Sequence, residues 1–394
     1  MTLQLSLEEG LFQRQTLYDQ ARRVVVKVGS AVLTNDQGIN LAIITQLAEQ
    51  LTFLKATGRE VILITSGAVA AGRRRLDKAK SPHEPLKIKQ ALAATGQGLL
   101  MQAYEQAFAS HEQPVAQILL THTDLSNRRR YLNVRNTILT LFEFGVIPII
   151  NENDSVSAEE LRFSDNDTLA ALMTNMIGAD MLIILTDVDS LYTGNPLEDA
   201  SARPVYTVAR IDHKIEAMAG HSTSSLGTGG MGAKIRAAKM VAACGGSSFI
   251  GPGKREDVLQ ALFSGEPVGT FFLPDVSRAI NQRKHWIAYV LRPEGELVVD
   301  AGAAHALVEK GKSLLPSGVL EVRGQFGLGA PVHCVDSEGA LIAAGLSNYA
   351  AADIMRIQGR KTSEIAAILG HKDHDEIIHR DNLVLFGGSS ENSL

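Results

Sequence analysis

Only two of the 394 residues are cysteine, Cys244 and Cys334, and only one is tryptophan. Two cysteines so far apart in the chain exclude a disulfide-stapled secreted scaffold, and they form no Cys-x-x-Cys pair for zinc or redox work. Both read as core residues rather than thiol catalysts. Long apolar runs are also missing. The longest, such as MLIIL at 181–185, have the length of a strand, far below the ~18 residues a membrane span needs. The N-terminal segment carries Glu8 and Glu9 where a secretory signal would want an unbroken apolar stretch. A soluble, cytoplasmic chain with no membrane partner is the expectation. A strong charge of either sign is absent too: the net charge is -5 and the pI about 6.1. That balance argues against coating nucleic acid or an anionic membrane. No internal repeat or low-complexity tract appears.

What is present fits a packed globular protein. Apolar residues make up 45% of the chain, and the length allows two domains or more. From residue 22 to about 250, short β-branched runs alternate with helical patterns. Strands are predicted at 22–28 (RRVVVKV), 59–65, 114–120, 145–151, 179–186 and 247–250, and helices near 40–57, 85–110, 128–144, 166–178 and 231–244. The strand runs are almost continuously apolar, as in strands covered on both faces. The fold class expected is α/β: a three-layer αβα sandwich with a mostly parallel sheet. Residues 1–21 read as an amphipathic N-terminal extension with a short helix. Beyond about 265 the pattern turns to short strands and turns. The expected map is a 22–271 main domain, a 272–294 linker and a small β-rich domain at 295–380 with a tail to 394.

In such sheets ligands bind beyond the carboxyl ends of the strands. Each predicted strand there runs into polar or glycine-rich sequence: Lys27-Val28-Gly29-Ser30, Thr65-Ser66-Gly67-Ala68, Asn151-Glu152-Asn153-Asp154 and Thr186-Asp187-Val188-Asp189. A further stretch, SLGTGGMGAKIRAA at 225–238, has a phosphate-loop composition. It fails as a Walker A loop, because Ala233 stands where the lysine belongs and Ile235 follows Lys234 where a magnesium-binding hydroxyl is needed. Its glycines still let backbone N–H groups approach an anion, and a helix starting near Met231 adds its positive end. Lys27 is unusual inside a buried strand. With Lys234 it is a candidate to neutralise a transferring phosphoryl group. The stretch NENDSVSAEELRFSDNDTLAA concentrates Asp154, Asp165, Asp167, Asn151, Asn153 and Asn166. These residues suit recognition of a zwitterion, holding lysines or a metal, or simply capping the helix near Thr168.

Together these pieces resemble the amino acid kinases: VVVKVGSAVLT, VILITSGAVAAG, VIPIINENDSV, SDNDTLAA, ILTDVDSLYT and SLGTGGMGAKIRAA, with similarity spanning roughly 20–370. The resemblance implies ATP-dependent phosphorylation of the side-chain carboxylate of L-glutamate, the first step of proline synthesis, with magnesium accompanying ATP. It implies Lys27, Lys234 and Asp167 as catalytic residues, with Asp167 holding the lysines. It implies Lys27, Gly29, Thr186, Asp187, Thr228, Gly229, Gly230, Met231, Gly232, Ala233 and Lys234 around ATP. Ser66, Gly67, Asp154, Asp165 and Asn166 would bind the substrate. It also implies proline as inhibitor, a glutamyl phosphate reductase as functional partner and a homo-oligomer. A carboxylate nucleophile is already ionised at neutral pH, which agrees with the absence of histidine from every motif.

The segment GELVVDAGAAHALVEKGKSLLPSGVLEVRG resembles a PUA domain, a module of RNA-modifying enzymes. RNA binding is not expected, since clusters of aromatic with basic residues are missing. Two other readings stay open: a different member of the same kinase family, and an RNA-binding protein whose kinase-like part is a scaffold. The basic triplets Arg73–Arg75 and Arg128–Arg130 read as solvated helix faces. The histidines of 371–379 lack the cysteines of a usual zinc site.

Overall fold

The computed structural model describes residues 7–35, 38–78, 81, 84–157, 165–196, 198–199, 201–219, 230–275, 284, 287 and 291–386. The chain divides into two compact units, Met1–Ala279 and Ile280–Leu394. Phe272, where the expected linker begins, is the last residue of a strand of the first unit.

The first unit opens with helix α1 (Leu7–Gln20), followed by β1 (Arg23–Val28), α2 (Ser30–Leu33) and the small hairpin β2 (Thr34–Asn35) and β3 (Gly38–Ile39). Next come α3 (Leu41–Ala56), β4 (Glu60–Ile64), α4 (Ala68–Arg75), α5 (Leu86–Ala109) and β5 (Val115–Leu120). Then follow α6 (His122–Ser126), α7 (Arg128–Glu143), β6 (Ile147–Glu152), α8 (Asn166–Ile177) and β7 (Met181–Thr186). The unit ends with β8 (Thr207–Val208), α9 (His213–Met218), α10 (Met231–Ala242), β9 (Ser247–Pro252), α11 (Val258–Phe263) and β10 (Thr270–Phe272). All six strands and five helices predicted for this region are present, with ends shifted by a residue or two.

Eight strands form one sheet in the order β5-β6-β4-β1-β7-β9-β10-β8. Every neighbouring pair is parallel except β9 with β10. The alternating strand–helix sequence dictates this, because a parallel neighbour can be reached only by a crossover, and a helix is the compact one. β1 sits in the middle, with Lys27 opposite Ile64 on one side and Ile184 on the other. Side chains alternate across a strand. Val24, Val26 and Val28 enter the core built with α3, α5 and α11. Val25 and Lys27 therefore face the opposite layer, where α8 packs on β1 and against α10.

Helix α8 is buried on nearly every side, its polar Asp167, Thr174 and Asn175 included. The extension forms an ordered helix, α1. Its Arg14 is buried and donates through Nε to the Tyr18 hydroxyl and through Nη2 to the Val268 carbonyl. The Tyr18 ring lies against Phe263 and Phe271.

The second unit holds a five-stranded sheet in the order β12-β11-β13-β14-β15: β11 (Gly295–Val299), β12 (Val319–Gly324), β13 (Pro331–Val335), β14 (Leu341–Leu346) and β15 (Leu383–Leu385). β15 places sheet residues beyond 380, where the expected β-rich domain ends. Its own core includes Leu297, Val332, Ile354 and Cys334. Burial pushes the Cys334 thiol up to about 12, and the half-buried Cys244 likewise to about 12, so neither is a reactive thiolate at neutral pH. Among the described residues no helix is long and apolar enough to cross a membrane.

Helices α4 and α5 cross at two glycines. A Cβ on Gly96 would lie 1.9 Å from the Ala68 carbonyl oxygen, and one on Gly72 would lie 1.9 Å from that of Leu92. Gly96→Ala is therefore expected to destabilise the fold by about 2 kcal/mol, since backbone would have to move. Gly98→Ala, with open space at that position, is expected to stabilise it by about 0.5 kcal/mol through lost chain entropy in the unfolded state. Urea midpoints of the two variants compared with the parent check both signs.

Candidate active site

The carboxyl ends of β1, β4, β6 and β7 lie at one edge of the sheet, its rim, and Lys27, Ser66, Gly67, Asn151 and Thr186 stand at or just beyond these strand ends. Asp167, the second residue of α8, is completely buried. Its Oδ1 lies 2.6 Å from Lys27 Nζ, and its Oδ2 accepts from Lys234 Nζ at 3.2 Å. Lys27 arrives from the central strand, and Lys234 from the first turn of α10. Both lysines are 6% exposed, so water replaces little of this interaction. Burial opposes ionisation of Asp167. The two ammonium groups override it and hold the carboxyl below the usual carboxylate range. The Asn175 side chain on α8 donates to the Met240 carbonyl of α10, tying together the two helices that carry Asp167 and Lys234.

One carboxylate between two ammonium ions leaves a net positive charge, and helix termini add to it. α4 begins after Gly67 and α10 after Gly230, and neither helix has a side-chain cap. Among the described residues no side chain caps their first N–H groups, which suit an anion. Gly67 has φ +105°, a left-handed conformation that only glycine adopts cheaply, and this turns the chain from β4 into α4. Gly29 begins the short α2. A Cβ there would stand 3.8 Å from Lys27 Nζ, so glycine leaves the approach to that lysine open. Thr186 is buried at the end of β7 and donates to the carboxylate of Asp187, which is exposed on the rim. Met231, Gly232 and Ala233 form the start of α10. Thr228 and Gly229 lie outside the described residues.

A second group of polar residues lies beside the first. Asn166 Nδ2 donates to the Thr65 carbonyl at 2.9 Å, Ser66 Oγ at 2.8 Å and Asn151 Oδ1 at 3.2 Å. Thr65 is in turn hydrogen-bonded to the buried Tyr104 hydroxyl at 2.9 Å. Asn151 Nδ2 donates to Gln97 Oε1 on α5. Asp165 caps α8, its carboxylate accepting from the Thr168 N–H at 2.7 Å. Asp154 stands half-buried in the turn after β6, the strand next to β4. Gln97 carries no signal in the sequence. It sits between two glycines in a long helix, and only tertiary packing brings it to Asn151.

Among the described residues no group of three or more His, Cys, Asp or Glu side chains forms a metal cage, in the 371–379 stretch or elsewhere. Pockets elsewhere on the first unit include one of about 340 Å³ near Tyr192, Tyr206 and Arg255.

Asp167→Asn removes the carboxylate that both buried ammonium groups share and is expected to cost about 3 kcal/mol of stability near neutral pH. The pKa of Asp167 is lowered on folding, so its contribution is present above its unfolded value near 4 and is lost as pH falls through the folded value. The gap between parent and variant should therefore close in acid. Urea unfolding at pH 7 and near pH 3 measures it.

Comparison with known proteins agrees with this geometry. The amino acid kinase family model matches residues 22–250, and the PUA domain model matches residues 295–369. Relatives named glutamate 5-kinase include the following three. That of Desulfotalea psychrophila is 56% identical over 372 residues, spanning 94% of this chain and 99% of the relative. That of Trichlorobacter lovleyi is 50% identical over 375 residues, with 94% and 99% covered. That of Syntrophus aciditrophicus is 49% identical over 372 residues, with 94% and 96% covered. The chain belongs to the amino acid kinase family and carries a C-terminal PUA domain.

Proposed function

We propose that this protein transfers the γ-phosphoryl group of ATP to the side-chain carboxylate of L-glutamate, giving L-glutamyl 5-phosphate and ADP. The observation that carries the reading is the buried Lys27–Asp167–Lys234 triad facing uncapped helix N-termini. Near-identical length and about half identity to enzymes named glutamate 5-kinase support the choice of substrate.

The chemistry follows from the charges. The nucleophile is a carboxylate, ionised at neutral pH, so no general base is required. Catalysis rests on alignment and on neutralising the charge of the transferring group. Asp167 fixes both ammonium groups but does not itself meet the phosphate. Lys27 and Lys234 are then held with one positive charge in excess, ready to draw the phosphoryl oxygens. Glycines 29, 67, 230 and 232, with Thr228, Gly229, Met231 and Ala233, would supply backbone donors and close cover over ATP. Thr186 and Asp187 would border the nucleotide.

Ser66 accepts from Asn166, which leaves its hydroxyl hydrogen available to the substrate carboxylate. Asp154 is the anion suited to the substrate ammonium, Asn166 supplies amide recognition beside it, and Asp165 orders the helix start that carries Asn166 and Asp167. Magnesium fits as an ion that enters on the phosphates of ATP, for such ions keep their waters and are seldom caged by protein alone. Asp167 is committed to the lysines and is not its ligand.

The product is an acyl phosphate and hydrolyses readily, so a reductase that consumes it is the natural functional partner. Proline, a cyclic relative of the substrate, is the inhibitor this reading supports, acting at or near the glutamate site in a homo-oligomeric enzyme of the cytoplasm. The PUA unit is read as a structural or regulatory appendage rather than an RNA-binding module.

Incubation with ATP, magnesium, glutamate and hydroxylamine is expected to give γ-glutamyl hydroxamate. Turnover of aspartate, N-acetylglutamate, carbamate or UMP with none for glutamate would overturn the reading. Adding proline should raise the glutamate concentration needed for half-saturation. Lys27→Ala and Lys234→Ala are each expected to lower kcat at least 100-fold, on the order of 3 kcal/mol of transition-state stabilisation. Near-normal kcat in either variant removes that lysine from the mechanism.

A further inference from the structure

Four amides in a row, one from the backbone, have their polarity fixed by chemistry rather than by choice. The backbone N–H of Glu152 can only donate, and it donates to Asn151 Oδ1 at 2.9 Å. Asn151 must therefore turn its NH2 the other way, to Gln97. Gln97 must answer with its carbonyl, Oε1, at 2.9 Å. At the other end the Thr65 carbonyl can only accept, so Asn166 turns its NH2 to it, at 2.9 Å. The same NH2 meets Asn151 Oδ1, which is already fixed as an acceptor. The Asn166 carbonyl oxygen is thereby the end directed away from Thr65, Ser66 and Asn151.

Gln97 closes this chain from α5, the helix whose Tyr104 hydroxyl also reaches Thr65. Its own Nε2 is buried and has no hydrogen-bond partner among the described residues. An amide whose donor end goes unsatisfied is a poor choice for stability alone. Such a cost is typical of a residue kept for a site rather than for the fold.

We propose that Gln97 is a positioning residue for glutamate recognition. Its carbonyl holds Asn151, and through Asn151 holds Asn166, so that Asn166 presents a carbonyl acceptor to the substrate ammonium. The inference rests on glutamate being the substrate, as proposed above. Losing the Gln97 carbonyl leaves Asn151 Nδ2 without this acceptor, loosens Asn151 about its remaining bond to the Glu152 N–H and weakens one of the three contacts that orient Asn166. The lysine triad and the nucleotide side of the rim do not depend on this chain.

The test is steady-state kinetics of the full chain, titrating glutamate at saturating ATP and ATP at saturating glutamate. Gln97→Met removes the acceptor at nearly constant volume, and Gln97→Glu keeps an acceptor at the same reach. Gln97→Met is expected to raise KM for glutamate about tenfold or more, with KM for ATP within about twofold and an unfolding midpoint lowered only modestly by the unpartnered Asn151 donor. Gln97→Glu is expected to recover most of the loss. An unchanged glutamate KM in Gln97→Met, an equal rise for both substrates, no recovery in Gln97→Glu, or failure of Gln97→Met to fold each overturns the proposal. The unmodified protein is assayed alongside. If it phosphorylates glutamate while Gln97 proves indifferent, only this inference falls, whereas an unmodified protein inactive on glutamate removes the substrate reading itself.

Discussion

Two ammonium groups cannot be buried side by side without a countercharge, and this protein meets that constraint with one carboxylate, Asp167. Lys27 and Lys234 are each within hydrogen-bond or ion-pair distance of it, at 2.6 and 3.2 Å, and all three side chains are almost wholly out of water. The arrangement leaves an excess positive charge by construction. A second carboxylate would neutralise it and leave nothing for a phosphate. A single lysine would leave the pair neutral. The odd charge is what makes the rim attractive to an anion, and the low local dielectric makes that attraction strong.

Much of the surrounding architecture can be understood as support for that triad. β1 must lie in the middle of the sheet for Lys27 to emerge under α8. α8 must be buried on all sides for Asp167 to be shielded, and it must be bound to α10 for Lys234 to reach it; the Asn175–Met240 hydrogen bond does part of this. Asp165, capping α8, orders the turn from which Asn166 and Asp167 project. Asn166 then points to Thr65 and Ser66 at the end of β4, so adjacent residues of one helix serve the two halves of the site. Under the proposed function, one helix start would carry both the residue that holds the lysines and a residue that meets the substrate.

The glycines divide by job. Gly72 and Gly96 let α4 and α5 touch backbone to backbone, which fixes where α5 runs. That crossing carries Gln97 to Asn151. Gly67 turns a strand into a helix with its N–H groups exposed to the rim, and Gly29 keeps the neighbourhood of Lys27 clear. In the second unit the core around Leu297, Val332 and Cys334 joins sheet residues to helical ones such as Leu307 and Ile354.

The sequence by itself determined the strands and helices of the first unit, because nearly continuous apolar runs of strand length between helical patterns have few other solutions. It also determined the chemistry on offer: a lysine inside VVVKVGS and a lysine after GTGGMGA have little structural use apart from a ligand. The pairing of Lys27 with Lys234 was legible from the glycine-rich strand ends, whereas Asp167 as the group that holds both was singled out only through resemblance to a family, since no local rule links residues so far apart in the chain. Gln97 was not legible at all. Nothing in ATGQGLL distinguishes a site residue from a helix-face glutamine, and its role depends on which carbonyl or N–H stands opposite. Tertiary structure decided that, because hydrogen-bond polarity is set by pairs of groups and the pairs form only when α5, β6 and α8 are packed together.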